Sequence, residues 1–114
     1  MNRFELRGAI WTKRYLVRMT YEELLEIARA AEGQTLETVT GRKFTVGTYR
    51  DGLFFTPASS GWGQTEGRPG HERFLQRYNA SGSLRPADYS GVSRNASYLI
   101  GLLLWAQSRG HSDR

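Results

Sequence analysis

The chain has 114 residues, a net charge of +5, an isoelectric point near 10.0 and no cysteine. Such a length suits one domain, 1–114, with a core of its own. The missing thiols exclude disulfides, thiolate metal sites and cysteine nucleophiles.

Residues 1–19 read as a basic N-terminal arm or strand. Phe4, Leu6 and Ile10 alternate among Arg3, Arg7, Lys13, Arg14 and Arg18, and Trp11 is the bulkiest apolar side chain there. An arm exchanged between the subunits of a dimer is a second reading. The segment lacks the apolar core of a signal peptide. Thr20-Tyr21-Glu22-Glu23 then forms a capping box, in which the Thr hydroxyl serves one exposed amide and Glu23 reaches back to another. Leu24, Leu25, Ile27, Ala28 and Ala31 follow at helical spacing, and Gly33 is a natural stop. The pattern predicts a helix over 21–32. It lies in an acidic stretch between two basic ones, so docking of this helix on its own neighbours would explain part of the charge.

A β-meander comes next: strands over 36–40, 43–49 and 53–56. Phe44, Val46 and Thr48 share one face, Thr40-Gly41-Arg42 makes the first turn, and Asp51-Gly52 favours a tight second one. Residues 58–69 read as a flexible loop. Trp62 stands alone in it, either as a lid over a core edge, the commoner case, or as an exposed stacking platform.

A second helix is expected over 69–79, with Pro69 in its first turn. Phe74, Leu75 and Tyr78 form its apolar stripe, and Arg73 and Arg77 line another face one turn apart. After a turn region over 79–91, a third helix runs from Val92 or Ser93 to Ser108. Val92, Ala96, Leu99, Leu103 and Ala106 lie on one face, widened by Tyr98, Leu102 and Trp105. A helix this apolar lies at the centre of a core or half in a dimer interface. Its apolar run is far short of the ~20 residues that span a bilayer, so a soluble, cytoplasmic protein is expected. Residues 110–114 form a tail. The fold class that follows is α+β: a three-stranded antiparallel meander packed against three helices, with the C-terminal helix central.

The residues of catalysis are sparse. Of two histidines, His111 is in the tail and His71 opens the second helix with Glu72 turned away from it. Glu22, Glu23 and Glu26 read as a solvated helix face, and no phosphate-binding loop is present. No enzyme, no metal and no cofactor are therefore expected.

Attention falls on 73–105, where Arg73, Arg77, Arg85 and Arg94 are mixed with Asn79, Asn95, tyrosines and serines. Ser90 and Ser93 are good caps, and the amides opening the third helix make an anion site that Arg85 and Arg94 reinforce. The alternative is internal: Arg85 bridges Asp88, Asn95 bonds backbone carbonyls in the 79–91 turn, and Ser83 caps the turn at Pro86. For Arg73, Arg77 and Arg94 local acids are too few to pair them all. Only Lys13 and Lys43 are lysines, and guanidinium groups match phosphate in two-point fashion, although a coding sequence rich in G and C explains the same bias. Two sequons, at Asn79 and Asn95, read as chance.

The stretch Gly33, Thr35 to Val46, Phe55-Thr56-Pro57, Arg77 to Tyr89 and Arg94 to Leu99 resembles a family of small uncharacterised bacterial domains carried on mobile elements, including integron gene cassettes, and beside restriction-type genes. The resemblance covers about residues 20–105. It implies no activity or residue roles, and it associates the chain with DNA. The leading expectation is a non-enzymatic nucleic-acid-binding domain, with DNA or another anionic partner gripped by Arg42, Lys43, Arg73, Arg77, Arg85 and Arg94. A homodimer or protein-interaction module, using Trp11, Leu102 and Trp105, is the alternative. A small-ligand pocket under the Trp62 loop is a third.

Overall fold

A computed structural model describes residues 19–112, so the arm with Trp11 lies outside the described residues. Helix α1 (Tyr21–Ala31) starts at the capping box. The Glu23 amide donates to the Thr20 hydroxyl at 3.1 Å, and the Thr20 amide donates to the Glu23 carboxylate at 2.9 Å. Such caps contribute about 1 kcal/mol. Tyr21, Leu24, Leu25, Ile27, Ala28 and Ala31 are buried, the face that the apolar spacing predicts.

Strands β1 (Leu36–Glu37), β2 (Lys43–Tyr49) and β3 (Gly52–Pro57) form an antiparallel sheet in that order. Strand β1 is shorter than its sequence suggests, because Thr38 begins the turn. Its amide donates to the Arg42 carbonyl at 2.9 Å, and its hydroxyl accepts from the Arg42 amide at 3.1 Å, a local bond that competes with the ladder. The second turn is also displaced. Tyr49 pairs with Gly52, so Arg50 and Asp51 form the loop, and Arg50 takes the left-handed conformation at φ 59°. The Tyr21 hydroxyl donates to the Asp51 carbonyl at 3.0 Å and ties this turn to α1.

Alternation along the sheet sends Phe44, Val46, Leu53 and Phe55 into the core. On the other face the Phe54 ring lies over Gly47, where any Cβ would come within 2.4 Å of it.

Helix α2 (Gly67–Ser81) ends at Gly82, which takes the left-handed cap conformation at φ 69°. A 3₁₀ turn over Pro86–Tyr89 and helix α3 (Ala96–Ser112) complete the fold. The helix begins later than the sequence pattern indicates, leaving half-buried Val92 in the preceding turn, and it continues through the expected tail to Ser112. Phe74, Leu75 and Tyr78 are buried, and the Phe74 ring stacks on Tyr89 at 4.4 Å. Burial holds the Tyr78 and Tyr89 hydroxyls above their ordinary pKa, so both stay protonated at neutral pH.

Helix α3 packs against β1, α1 and the 3₁₀ turn. Its Ala96, Leu99, Ile100, Leu102, Leu103 and Ala106 are buried. An apolar helix with a weak polar face is thus explained by a central place in the core. Leu102 is 0% exposed, which corrects its assignment to a partner interface: the chain's own core uses it. Trp105 is partly buried, with the Arg109 guanidinium 5.2 Å over its ring. The architecture is α+β, and among the described residues no helix is long and apolar enough to cross a membrane.

Candidate functional site

Five of the six basic residues singled out by the sequence line a string of adjoining surface clefts. Arg42 and Lys43 border a cleft of about 520 Å³ with Pro57, Ser59 and Tyr98. Arg42 and Tyr98 also border the next, of about 420 Å³, which reaches Gln64 and Arg94. Arg94 then shares a third with Arg73 and Ser93, and Arg73 shares a fourth with Arg77. The order along this row is therefore Lys43, Arg42, Arg94, Arg73, Arg77, drawn from β2 and its preceding turn, from the segment before α3, and from α2. Arg85 is exposed at the start of the 3₁₀ turn and lines none of the four.

The state of each cation differs. Arg42 and Arg94 are exposed, and among the described residues neither guanidinium makes an ion pair. Arg73 donates from Nε to the Val92 carbonyl at 3.3 Å, and Arg77 donates to the Asp88 carbonyl at 2.9 Å. These bonds orient two side chains without neutralising them. Lys43 is offset by Glu37 at 2.6 Å, an exposed pair of small net worth. Arg68 is different: Glu22, Glu72 and Asp51 surround it at 3.4, 3.0 and 3.8 Å, and its guanidinium lies over the Tyr21 ring at 4.4 Å. Acids from α1, the second turn and α2 thus converge on Arg68, while among the described residues the four arginines of the row make no ion pair.

The proposed anion site at the start of α3 is already filled by the chain itself. Glu66, with a side chain 5% exposed, accepts from the Arg94 amide at 3.1 Å, the Asn95 amide at 3.3 Å and the Ser93 hydroxyl. A carboxylate there satisfies orphan amides and complements the helix dipole. Gly70 makes room for it, since a Cβ at 70 would fall 2.4 Å from the Glu66 Cγ. Ser93 contributes a bond to this carboxylate, as well as to the Asn95 amide at 3.3 Å.

Behind Glu66 lies His71, 0% exposed, with Nε2 3.9 Å from the carboxylate and 3.3 Å from the side-chain Nδ2 of Asn95. Its Nδ1 has no hydrogen-bond partner among the described residues. Burial lowers the His71 pKa, although Glu66 acts in the opposite direction, so the ring is neutral near pH 7. The sequence pairs His71 with nothing; its partners are brought by other elements. Asn95 bonds this ring rather than backbone carbonyls of the turn. A trace of this cluster is visible in the chain: Gly70 in a helical first turn is a costly residue unless something needs its space.

The other internal contacts fall as follows. Asn79 exchanges two 2.8 Å bonds with the Met19 backbone. Ser83 bonds Asp88 and accepts from the Arg85 amide at 3.1 Å, so Asp88 takes a serine rather than Arg85. Both sequon asparagines are thereby engaged in the structure.

Trp62 is 78% exposed and covers no core edge, which corrects the lid reading and removes the roof of the small-ligand pocket. Its loop is nevertheless anchored. Phe55 and Gln64 exchange backbone bonds at 2.8 and 2.6 Å, and the Gly61 amide donates to the Pro57 carbonyl at 2.8 Å. Among the described residues no group of three acidic or imidazole side chains is placed to hold a metal ion. Compared with protein-family models, with curated proteins and with solved structures, the chain matches none of them.

Proposed function

We propose that this domain binds nucleic acid, DNA in the first instance, along the row of clefts from Lys43 to Arg77, and that it acts as a binding module rather than an enzyme. The observation that carries the reading is the sharing of Arg42, Arg94 and Arg73 between successive clefts. A phosphodiester backbone is a row of anions, and a row of guanidinium groups without acid partners is its complement. The net charge of +5 adds long-range attraction for any polyanion. The reading extends, on the sequence resemblance alone, to a place on a mobile gene cassette.

Anisotropy of a labelled DNA duplex, titrated with protein at several salt concentrations, tests it. Four or five neutralised phosphates give a log–log slope of about −4. Arg42→Ala with Arg94→Ala should weaken binding and reduce the slope by about 2, while Arg68→Ala, an arginine already enclosed by acids, should leave it unchanged. A slope near zero on the duplex and on a single strand of the same length alike, or a double variant that binds like the parent, overturns the proposal.

A further inference from the structure

Trp62 is an exposed tryptophan on an anchored loop, and that loop borders clefts lined by arginines that make no ion pair among the described residues. Trp62 is 78% exposed, far more than Trp105, which packs on the core. Its loop is held on both sides: the Gly61 amide bonds Pro57, Gln64 pairs with Phe55, and the Trp62 amide donates to the Ser60 hydroxyl at 3.2 Å. Gly63 lies against the Phe54 ring, where a Cβ would be 3.3 Å away. The indole is therefore presented from a fixed base.

The position relative to the row is specific. Ser59, three residues before Trp62, lines the cleft that holds Arg42 and Lys43. Gln64, two residues after it, lines the cleft between Arg42 and Arg94. The loop that carries the indole thus lends a residue on either side of Trp62 to the two clefts that Arg42 borders. A flat π-face beside a track of cations is what an unpaired base requires, because base stacking on an aromatic ring is independent of sequence while the phosphates follow the charge. A duplex keeps its bases stacked on each other and offers the ring nothing.

We infer that Trp62 is a base-stacking platform, and that the preferred ligand of the arginine row is a single-stranded nucleic acid with its bases unstacked. This rests on the nucleic-acid reading above and narrows it. The test uses the full chain with a labelled oligothymidylate of about 16 nucleotides, an oligouridylate and a duplex of the same length. The expected result is tighter binding of the single strands than of the duplex. Trp62→Ala should lose roughly ten-fold in single-strand affinity, Trp62→Phe should retain most of it, and neither should change duplex binding. The two oligonucleotides differ in the base methyl group as well as in the sugar, and tighter binding of either one agrees with the inference. Unchanged single-strand binding by Trp62→Ala, an equal loss on both ligands, or a preference for duplex overturns the platform and leaves the arginine row standing. Absence of binding to every probe at low salt overturns both. Because the side chain is exposed, circular dichroism and thermal melting should be unaltered in both variants; a fall in melting temperature would give Trp62 a structural role and also sink the inference.

Discussion

Single residues decide how closely the elements approach. Gly101 sits in the middle of α3, where alanine ordinarily stabilises a helix by about 1 kcal/mol. Here a Cβ would stand 2.7 Å from the Glu37 carbonyl and 3.0 Å from the Phe44 ring. The first neighbour is backbone of β1, which cannot turn aside as a side chain can. Steric conflict outweighs propensity, so Gly101→Ala is expected to destabilise by about 1–3 kcal/mol, read from urea denaturation. A variant as stable as the parent would mean that α3 and β1 have slack between them. In the sequence this glycine appears only as a break in an apolar run. The close approach comes from residues 57 and 64 positions away, and no local pattern records it.

At the scale of elements, α3 begins on a carboxylate from a different segment. Glu66→Ala leaves the Arg94 amide and the Ser93 hydroxyl without their acceptor and the Asn95 amide with the Ser93 oxygen alone, which should cost about 1–3 kcal/mol. Gly70→Ala should cost a similar amount in the parent, because its Cβ would displace that carboxylate. In the Glu66→Ala background the second substitution should lose its penalty, since the neighbour it strikes is gone. Additive losses in that double-mutant cycle would separate the two residues. The capping box of α1, in contrast, was legible from four consecutive residues, because Thr20 and Glu23 satisfy each other locally. The cap of α3 was not, because its acceptor lies 28 residues before Arg94.

The whole molecule encloses a neutral imidazole between α2, the loop carrying Glu66 and the start of α3. His71 has its pKa lowered by burial, so the unfolded chain binds a proton more readily than the folded one. Its contribution to stability is therefore present above the unfolded value near 6.5 and is lost as pH falls toward the folded value. Melting temperature should decline between about pH 7.5 and 5.5, a window above the carboxylate range, and the decline should be shallower in His71→Gln whatever its absolute stability. Equal slopes would show that folding does not lower the affinity of His71 for its proton.

Helix α1, the meander, the apolar stripe of α2 and the central α3 were all determined by the chain itself, through local capping, period-two alternation and helical periodicity. These signals act over a few residues and survive in any context. Tertiary structure alone decided which cations remain unpaired. Arg68 and Arg94 look alike in sequence, yet Glu22, Asp51 and Glu72 converge on the first, while the carboxylate nearest the second, Glu66, is spent on backbone amides. It likewise decided that Leu102 is core and Trp62 is surface. Pairing and exposure depend on distances between segments remote in sequence, and those distances exist only once the chain has folded.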